Sequence, residues 1–471
     1  MASRRDELRA HQFLKQRAVS ALVIHETDPE QPPFRRPTLA MYWGIALTLL
    51  GLAVAGAIGL FSHHSALKLE AGKTVVVESG TGATFVYLGG QLHPVPNYTS
   101  ALLVLGDHVP TQTVSRGDLL GIPRGTAVGI AGAPDDLPDR NHLLPGAWSM
   151  CSRPMTSTAG ERTDEADLLV GSVPGGGTQV SSRAVLAVAA GHEYLLWNGY
   201  RHQLSDRRVA TAGLGLASEA TVPVAPAWIT VLPAGPDVAP VPVRGAGGPS
   251  RALPSRPDTR AGELFVVTVS DAVRQYYLAL GDRLVPLTPF QLALQLAAPD
   301  TARAYPGHPP RPILLDPAAV TLADQASAPV APSDLPRSRP GFVQAGPMAA
   351  MCAGFDPGSA VPRLLVGSTL PSASAGLANG GGTGRGGAPL ADRIVVPPGR
   401  GALVTVIANA KAAAGTLALV TDAGRLFPLA GADVAKSLGY AGVTPVRVAA
   451  SVAARIPLGP ALDPAVAREP N

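Results

Sequence analysis

The chain has 471 residues, enough for several domains with sizeable buried cores. Apolar residues make up 46% and charged residues only 15%, while 52 glycines and 47 prolines are nearly twice average usage, a composition of short strands, tight turns and ordered loops. The net charge of +4 is spread without a basic run and aromatic residues are 5%, which excludes a nucleic-acid stacking platform.

In chain order, residues 1–38 read as an inner tail. An amphipathic helix over Arg4–Val23 carries Leu8, Phe13, Leu14, Ala18, Ala21 and Leu22 on its apolar side, with Asp6, Glu7 and Arg17 elsewhere. Pro32 and Pro33 end it. Five acidic residues in the tail favour a protein partner over a lipid surface.

Residues 39–61 carry no charge, and a helix of that length spans about 34 Å, enough for a bilayer core. A cleavable signal peptide is the competing reading. The apolar run is too long for it, starts too far in, and is followed by no small-x-small site. Arg4, Arg5, Arg9, Lys15, Arg17, Arg35 and Arg36 precede the span, against only Lys68 and Lys73 in the 38 residues after it, which places the N-terminus in the cytoplasm. Tyr42 and Trp43 suit interface anchors. Gly51, Ala55 and Gly59 recur on one face, which suits helix packing or simply the abundance of small residues in membrane helices.

After a linker at 62–71, in which His63-His64 reads as juxtamembrane polar filler, a β-rich pattern recurs four times: strand, turn, strand, tight glycine turn, then helical spacing. The copies are 74–77 and 84–88 with Gly90-Gln91-Leu92-His93-Pro94; 184–189 and 193–197 with Gly199-Tyr200-Arg201-His202; 264–269 and 275–280 with Gly281-Asp282-Arg283-Leu284-Val285-Pro286; and 403–407 and 417–421 with Gly424-Arg425-Leu426-Phe427-Pro428. Glycine supplies the positive φ that such turns need. Met150-Cys151 with Leu168-Leu169-Val170-Gly171-Ser172 returns as Met351-Cys352 with Leu364-Leu365-Val366-Gly367-Ser368.

Cys151 and Cys352 are the two cysteines, and on the exported side they suit one disulfide, with two buried thiols as the alternative. The expected fold class is α+β and membrane-anchored: one N-terminal transmembrane helix, then an elongated, β-rich, internally duplicated ectodomain of four hairpin-plus-helix repeats. Its halves are 72–217 and 262–450, with a Pro-rich join at 218–261 and a C-terminal tail at 451–471. Residues 222–257 and the glycine-rich 372–387 are expected to lack regular structure.

Catalytic, cofactor and metal motifs fail on inspection. Gly72-Lys73-Thr74 lacks the phosphate-loop glycine, because Leu67 stands there. Gly382, Gly384 and Gly387 have dinucleotide spacing but run into Ala388-Pro389, where a helix should begin. His192-Glu193 is followed by Leu196 where a zinc motif needs histidine. Asp135-Asp136 lies among prolines and glycines that indicate a turn.

Several stretches together resemble the EccB family of the type VII (ESX) secretion system of actinobacteria. They are Arg5-Asp6-Glu7-Leu8 with Phe13-Leu14, Pro33-Phe34-Arg35-Arg36, Tyr87-Leu88, Leu92-His93-Pro94-Val95, Asn97-Tyr98, residues 129–138, both cysteines, and Leu438-Gly439-Tyr440. The resemblance implies a structural subunit of a membrane core complex with EccC, EccD and EccE proteins, in which the tail contacts partners and the outer domain assembles with its copies. It also implies repeats similar to a phage-lysin cell-wall-binding fold, hence peptidoglycan binding as an alternative. Family members are described as ATPases, so ATP enters as a cofactor by resemblance alone.

Overall fold

A computed structural model describes residues 3–23, 25, 35–61, 69–156, 159–270, 273–325, 335–346, 348–379 and 381–470. The chain divides into two compact units, Met1–Glu70 and Ala71–Asn471.

The first unit holds helices Arg4–Val23 and Arg35–Phe61. Leu8, Phe13, Leu14 and Leu22 are exposed on the first helix, as an amphipathic face without a partner would be. In the second helix, Leu39–Ala57 is long and apolar enough to cross a membrane, and none of it is buried. Among the described residues nothing covers this stretch, and a helix apolar on all sides has the length and composition that a bilayer core requires. A side chain at Gly51 would meet nothing within 4 Å. The surroundings of Gly59, the His63-His64 pair and the Pro32-Pro33 break lie outside what the structure describes.

The second unit contains four sheets of one strand order, here modules 1 to 4. In module 1, Val75–Glu78 pairs antiparallel with Thr84–Leu88, which pairs with Gln91–Val95. Helix Tyr98–Leu105 follows, and Thr111–Val114 returns parallel to the first strand. The sequence explains this locally. β-Branched residues fill the strands, Gly89 and Gly90 take positive φ at the tight turn, Asn97 caps the helix by accepting from Ser100 N, and left-handed Gly106 ends it.

Module 2 repeats the order with Arg183–Ala189, His192–Trp197, Tyr200–Gln203, helix Arg207–Leu214 and Thr221–Pro223. Module 3 uses Leu264–Ser270, Val273–Ala279, Leu284–Leu287, helix Pro289–Ala297 and Ile313–Leu314. Module 4 uses Gly401–Ile407, Thr416–Thr421, Leu426–Pro428, helix Ala432–Ser437 and Val446–Ala449. Each closes with a short helix, Arg116–Leu119, Pro226–Ile229, Pro317–Thr321 or Ala450–Ala453, and a turn bridging back to its own third strand.

Three expectations need correction. Residues 218–261 are not an irregular join: Thr221–Pro223 is a strand, Pro226 opens a helix at its first turn, and Val222, Trp228, Ile229 and Val231 are core. The prolines sit where no ladder or helical N–H is needed, at an edge strand and a helix start. Within 372–387, Leu377–Ala378 is a strand paired with Arg393–Val395. Within 451–471, expected as a tail beyond the second half, Ile456, Leu462 and Ala467 are part of the packed unit, and Arg468 Nε donates to Val104 O at 3.2 Å.

The halves also interleave. Module 1 shares a core with module 4, where Leu102, Leu103 and Val128 meet Leu419, Phe427 and Leu438, and Tyr440 Oη donates to Pro138 O at 2.9 Å. Module 2 shares one with module 3, where Val209, Ala210 and Leu214 meet Phe290 and Leu294. At Gly213 the two helices approach so closely that a Cβ would lie 2.5 Å from Ala293 O.

Candidate functional site

Between the modules lies a seven-stranded sheet containing both cysteine segments. Its order is Leu377–Ala378, Arg393–Val395, Arg162–Leu169, Trp148–Thr156, Met351–Phe355, Arg363–Val366, Thr178–Gln179. Cys151 and Cys352 stand directly opposite each other on the two central, antiparallel strands and form a disulfide across 201 residues. The alternative of two free thiols is thereby excluded. Both residues are fully buried.

Each part of the chain gives a strand to the other. Thr178–Gln179 pairs with Arg363–Val366, while Arg393–Val395 pairs with Arg162–Leu169. Cross-strand neighbours share a face, so the row Leu365, Cys352, Cys151, Asp167, Arg393 runs across the sheet beside the disulfide. Leu169, Leu365, Leu370 and Val395 cover the sulfurs. Met150, Leu168, Met351 and Ala353 alternate onto the other face, where Trp228 Nε1 donates to Met150 O at 2.9 Å.

The polar end of that row is an ion cluster. Asp167 is fully buried and accepts from Arg153 Nε at 2.7 Å and Arg393 Nη1 at 2.9 Å. Arg393 Nη2 also reaches Glu165 at 3.0 Å, and Arg153 Nη2 donates to Pro371 O at 2.6 Å. Burial pushes the Asp167 carboxyl above the usual range, and the two guanidiniums oppose that shift. Two cations and two anions balance, so the cluster ties three strands together without leaving a net charge inside.

The motifs rejected in sequence take structural places. Gly72 lies in a turn leading into Val75–Glu78, so no helix N-terminus stands ready for phosphate. Arg385–Gly387 is a 3₁₀ turn, with Thr383 bridged to Pro389. His192 begins a strand beside Gln203, and Leu196 is core. Asp135 Oδ1 accepts from Tyr98 N at the start of the module 1 helix. Among the described residues, no group of three or more His, Cys, Asp or Glu side chains could hold a metal ion.

Among the described residues, clefts flank the central sheet where a module's tight turn meets its edge. The larger, about 480 Å³, lies between Asn198-Gly199-Tyr200 and Val361-Pro362-Arg363. The smaller, about 270 Å³, lies between Gly424-Arg425 and Leu377, Asn379 and Pro457.

Sequence reasoning missed the ion cluster and the closing turns. Arg393 and Asp167 lie 226 residues apart, and no local pattern joins them. The turns did carry a signal: Ile122-Pro123-Arg124-Gly125, Leu232-Pro233-Ala234-Gly235 and Ile456-Pro457-Leu458-Gly459 share one aliphatic-Pro-x-Gly pattern.

Comparison with known proteins agrees with this architecture. The family profile described as type VII secretion system ESX-1, transport TM domain B (EccB) matches residues 1–469. The chain is 26% identical to ESX-3 secretion system ATPase EccB3 of Mycolicibacterium smegmatis, over 98% of this chain and 89% of that protein. It is 30% identical to ESX-1 secretion system ATPase EccB1 of Mycobacterium tuberculosis, over 57% of this chain and 56% of that one. Among solved structures, the EccB3 dimer from the ESX-3 core complex superposes with a TM-score of 0.58 at 27% identity, over 83% of this chain and 99% of that one. A chain of an intact ESX-5 inner membrane complex, 24% identical, shares the fold with a TM-score of 0.62 over 100% and 96%. A profile matched from the inner tail through module 4 covers span and modules alike, and the chain belongs to the EccB family of type VII secretion systems.

Proposed function

We propose that the chain is a structural subunit of a type VII secretion membrane complex, anchored by residues 39–57, with its tail in the cytoplasm and its outer unit on the far side. The family match along residues 1–469 carries this reading, because it joins one membrane-crossing helix and the large outer unit in a single chain. The basic residues before the span support the orientation. Relatives in ESX inner membrane complexes and the EccB3 dimer support assembly with other subunits and with further copies of itself. EccC, EccD and EccE type proteins are the subunits that the family resemblance names. The shared strand order of the four modules supports an origin by internal duplication.

The test is secretion. Cells whose chain has 39–57 replaced by a polar linker are expected to stop exporting type VII substrates, while the intact chain restores export. Undiminished export by the unanchored form would refute the reading. A second reading, ATP hydrolysis, rests on the printed names of the relatives. In this chain Gly72-Lys73-Thr74 leads into a strand, which favours the structural role. Turnover by the purified full chain that a Lys73→Ala substitution abolishes would reverse that preference.

A further inference from the structure

The two ends of the central sheet differ. At one end Arg393–Val395 is not the edge, because Leu377–Ala378 pairs along its outer side. At the other end Thr178–Gln179 is itself the edge and exposed, with no strand beyond it among the described residues. Both strands run just ahead of a module's first strand, Gly401–Ile407 in one case and Arg183–Ala189 in the other. Of two similarly placed strands, one carries a short added strand and the other does not.

The bonding state of the open strand follows from its register. Thr178 and Gln179 stand opposite Val366 and Leu365, and Val180 N donates to Leu364 O at 2.9 Å. Bonded pairs alternate with unbonded ones in an antiparallel ladder, so the Gln179 N–H and C=O point away from the sheet. Neither has a hydrogen-bond partner among the described residues. They lie at the larger cleft, of about 480 Å³, which Gln179 helps to line. The cleft has an apolar floor of Val180, Pro362 and Leu364, all buried. At Gly199 the module 2 turn approaches this floor so closely that a Cβ would lie 2.5 Å from Pro362 O, which fixes the wall. The charged residue of the lining, Arg363, is already paired with Asp356 at 2.8 Å.

We infer that this cleft receives an extended segment of another polypeptide, which adds as a strand to the Gln179 edge. An N–H and a C=O side by side on a strand edge are answered by the backbone of a strand. The apolar floor takes the side chains of alternate residues along it. Balanced charge at Arg363 favours a neutral backbone over an ionic ligand. The chain itself supplies the precedent: Leu377–Ala378 covers Arg393–Val395 at the opposite end of the sheet, and Gly341–Phe342 adds in the same manner to Arg183–Ala184. The volume lies within the roughly 300–1,000 Å³ of ordinary ligand sites. The inference goes beyond the structural role proposed above and stands or falls separately from it.

The probe is a blocked, dye-labelled peptide of alternating threonine and valine, added to the full chain in detergent and followed by fluorescence anisotropy. Saturable binding is expected below about 1 mM, and a version methylated on every backbone nitrogen is expected to bind at least about tenfold more weakly. Gln179→Pro removes the outward N–H and leaves the ladder bonds on either side in place, as proline at a strand edge allows. It is expected to weaken binding about tenfold with the melting temperature kept, whereas Gln179→Ala is expected to bind like wild type. If Gln179→Pro fails to fold, the methylated peptide on the wild-type chain decides alone. No saturable binding, equal affinity for the methylated peptide, or undiminished binding by a folded Gln179→Pro chain overturns the inference. Displacement of the peptide by an N-acetylglucosamine oligosaccharide would assign the cleft to a sugar and overturns it as well.

Discussion

The modules and the central sheet are held together by opposite means. A module is a hairpin, a third strand and a helix in continuous sequence, closed by apolar packing and glycine turns. The central sheet is assembled from segments some two hundred residues apart and carries the disulfide and the buried ion cluster. Local units can rely on burial alone, whereas strands drawn from distant segments must offset a larger loss of chain entropy. The disulfide and the buried ion cluster both sit in the sheet that exchanges strands between distant segments.

Breaking that comparison should have its largest effect at Asp167. Asp167→Asn leaves Arg153 and Arg393 facing each other without their anion, and a loss of about 3–5 kcal/mol is expected by chemical denaturation of the full chain in detergent. Removing the disulfide as Cys151→Ser with Cys352→Ser should cost about 2–4 kcal/mol by the same measurement. The cost should fall short of the chain-entropy limit of about 5 kcal/mol, because residual structure in the unfolded chain reduces the entropy that the cross-link removes.

Smaller effects sharpen the contrast at the module junctions. Gly213→Ala puts a methyl against the Ala293 backbone and should destabilise by about 1–3 kcal/mol, read as a lower denaturation midpoint. Tyr440→Phe removes the bond to Pro138 O and should cost about 1 kcal/mol. Tyr440 also gives a pH signature. Burial, with Asp139 and Asp136 nearby, pushes its phenol up, and burial pushes Tyr305 up to about 12. The unfolded phenols lose their protons near pH 10 while the folded ones keep theirs. Stability is therefore fully present below pH 10 and declines as pH rises beyond it. Tyr440→Phe should flatten that decline in a pH series of melting temperatures. The Arg207–Glu193 pair, in which Arg207 is exposed, should matter least, with Arg207→Ala changing stability by under about 0.5 kcal/mol.

The same contrast explains what the sequence made legible. The hairpins were readable because strand, turn and strand are contiguous: Gly90, Gly199 and Gly424 take the positive φ expected at their turns, whereas Gly281 does not. The duplicated cysteine segments pointed to one disulfide. Hidden from sequence were the pairing of module 1 with module 4, the exchange of Arg393–Val395 for Thr178–Gln179, and the salt bridges to Asp167. Each depends on which distant surfaces meet, and none leaves a periodic pattern. Pro223, Pro226 and Pro233 read as a join because proline density ordinarily means irregular backbone, whereas here each occupies an edge strand, a first helical turn or a closing turn.

The central claim is membership in a membrane assembly, and isolation from native membranes tests it most directly. The tagged full chain, solubilised gently, should elute as an assembly far larger than 48.0 kDa. Mass spectrometry should identify other type VII membrane subunits within it. Elution as an isolated monomer or simple dimer, free of any such subunit, would contradict the account.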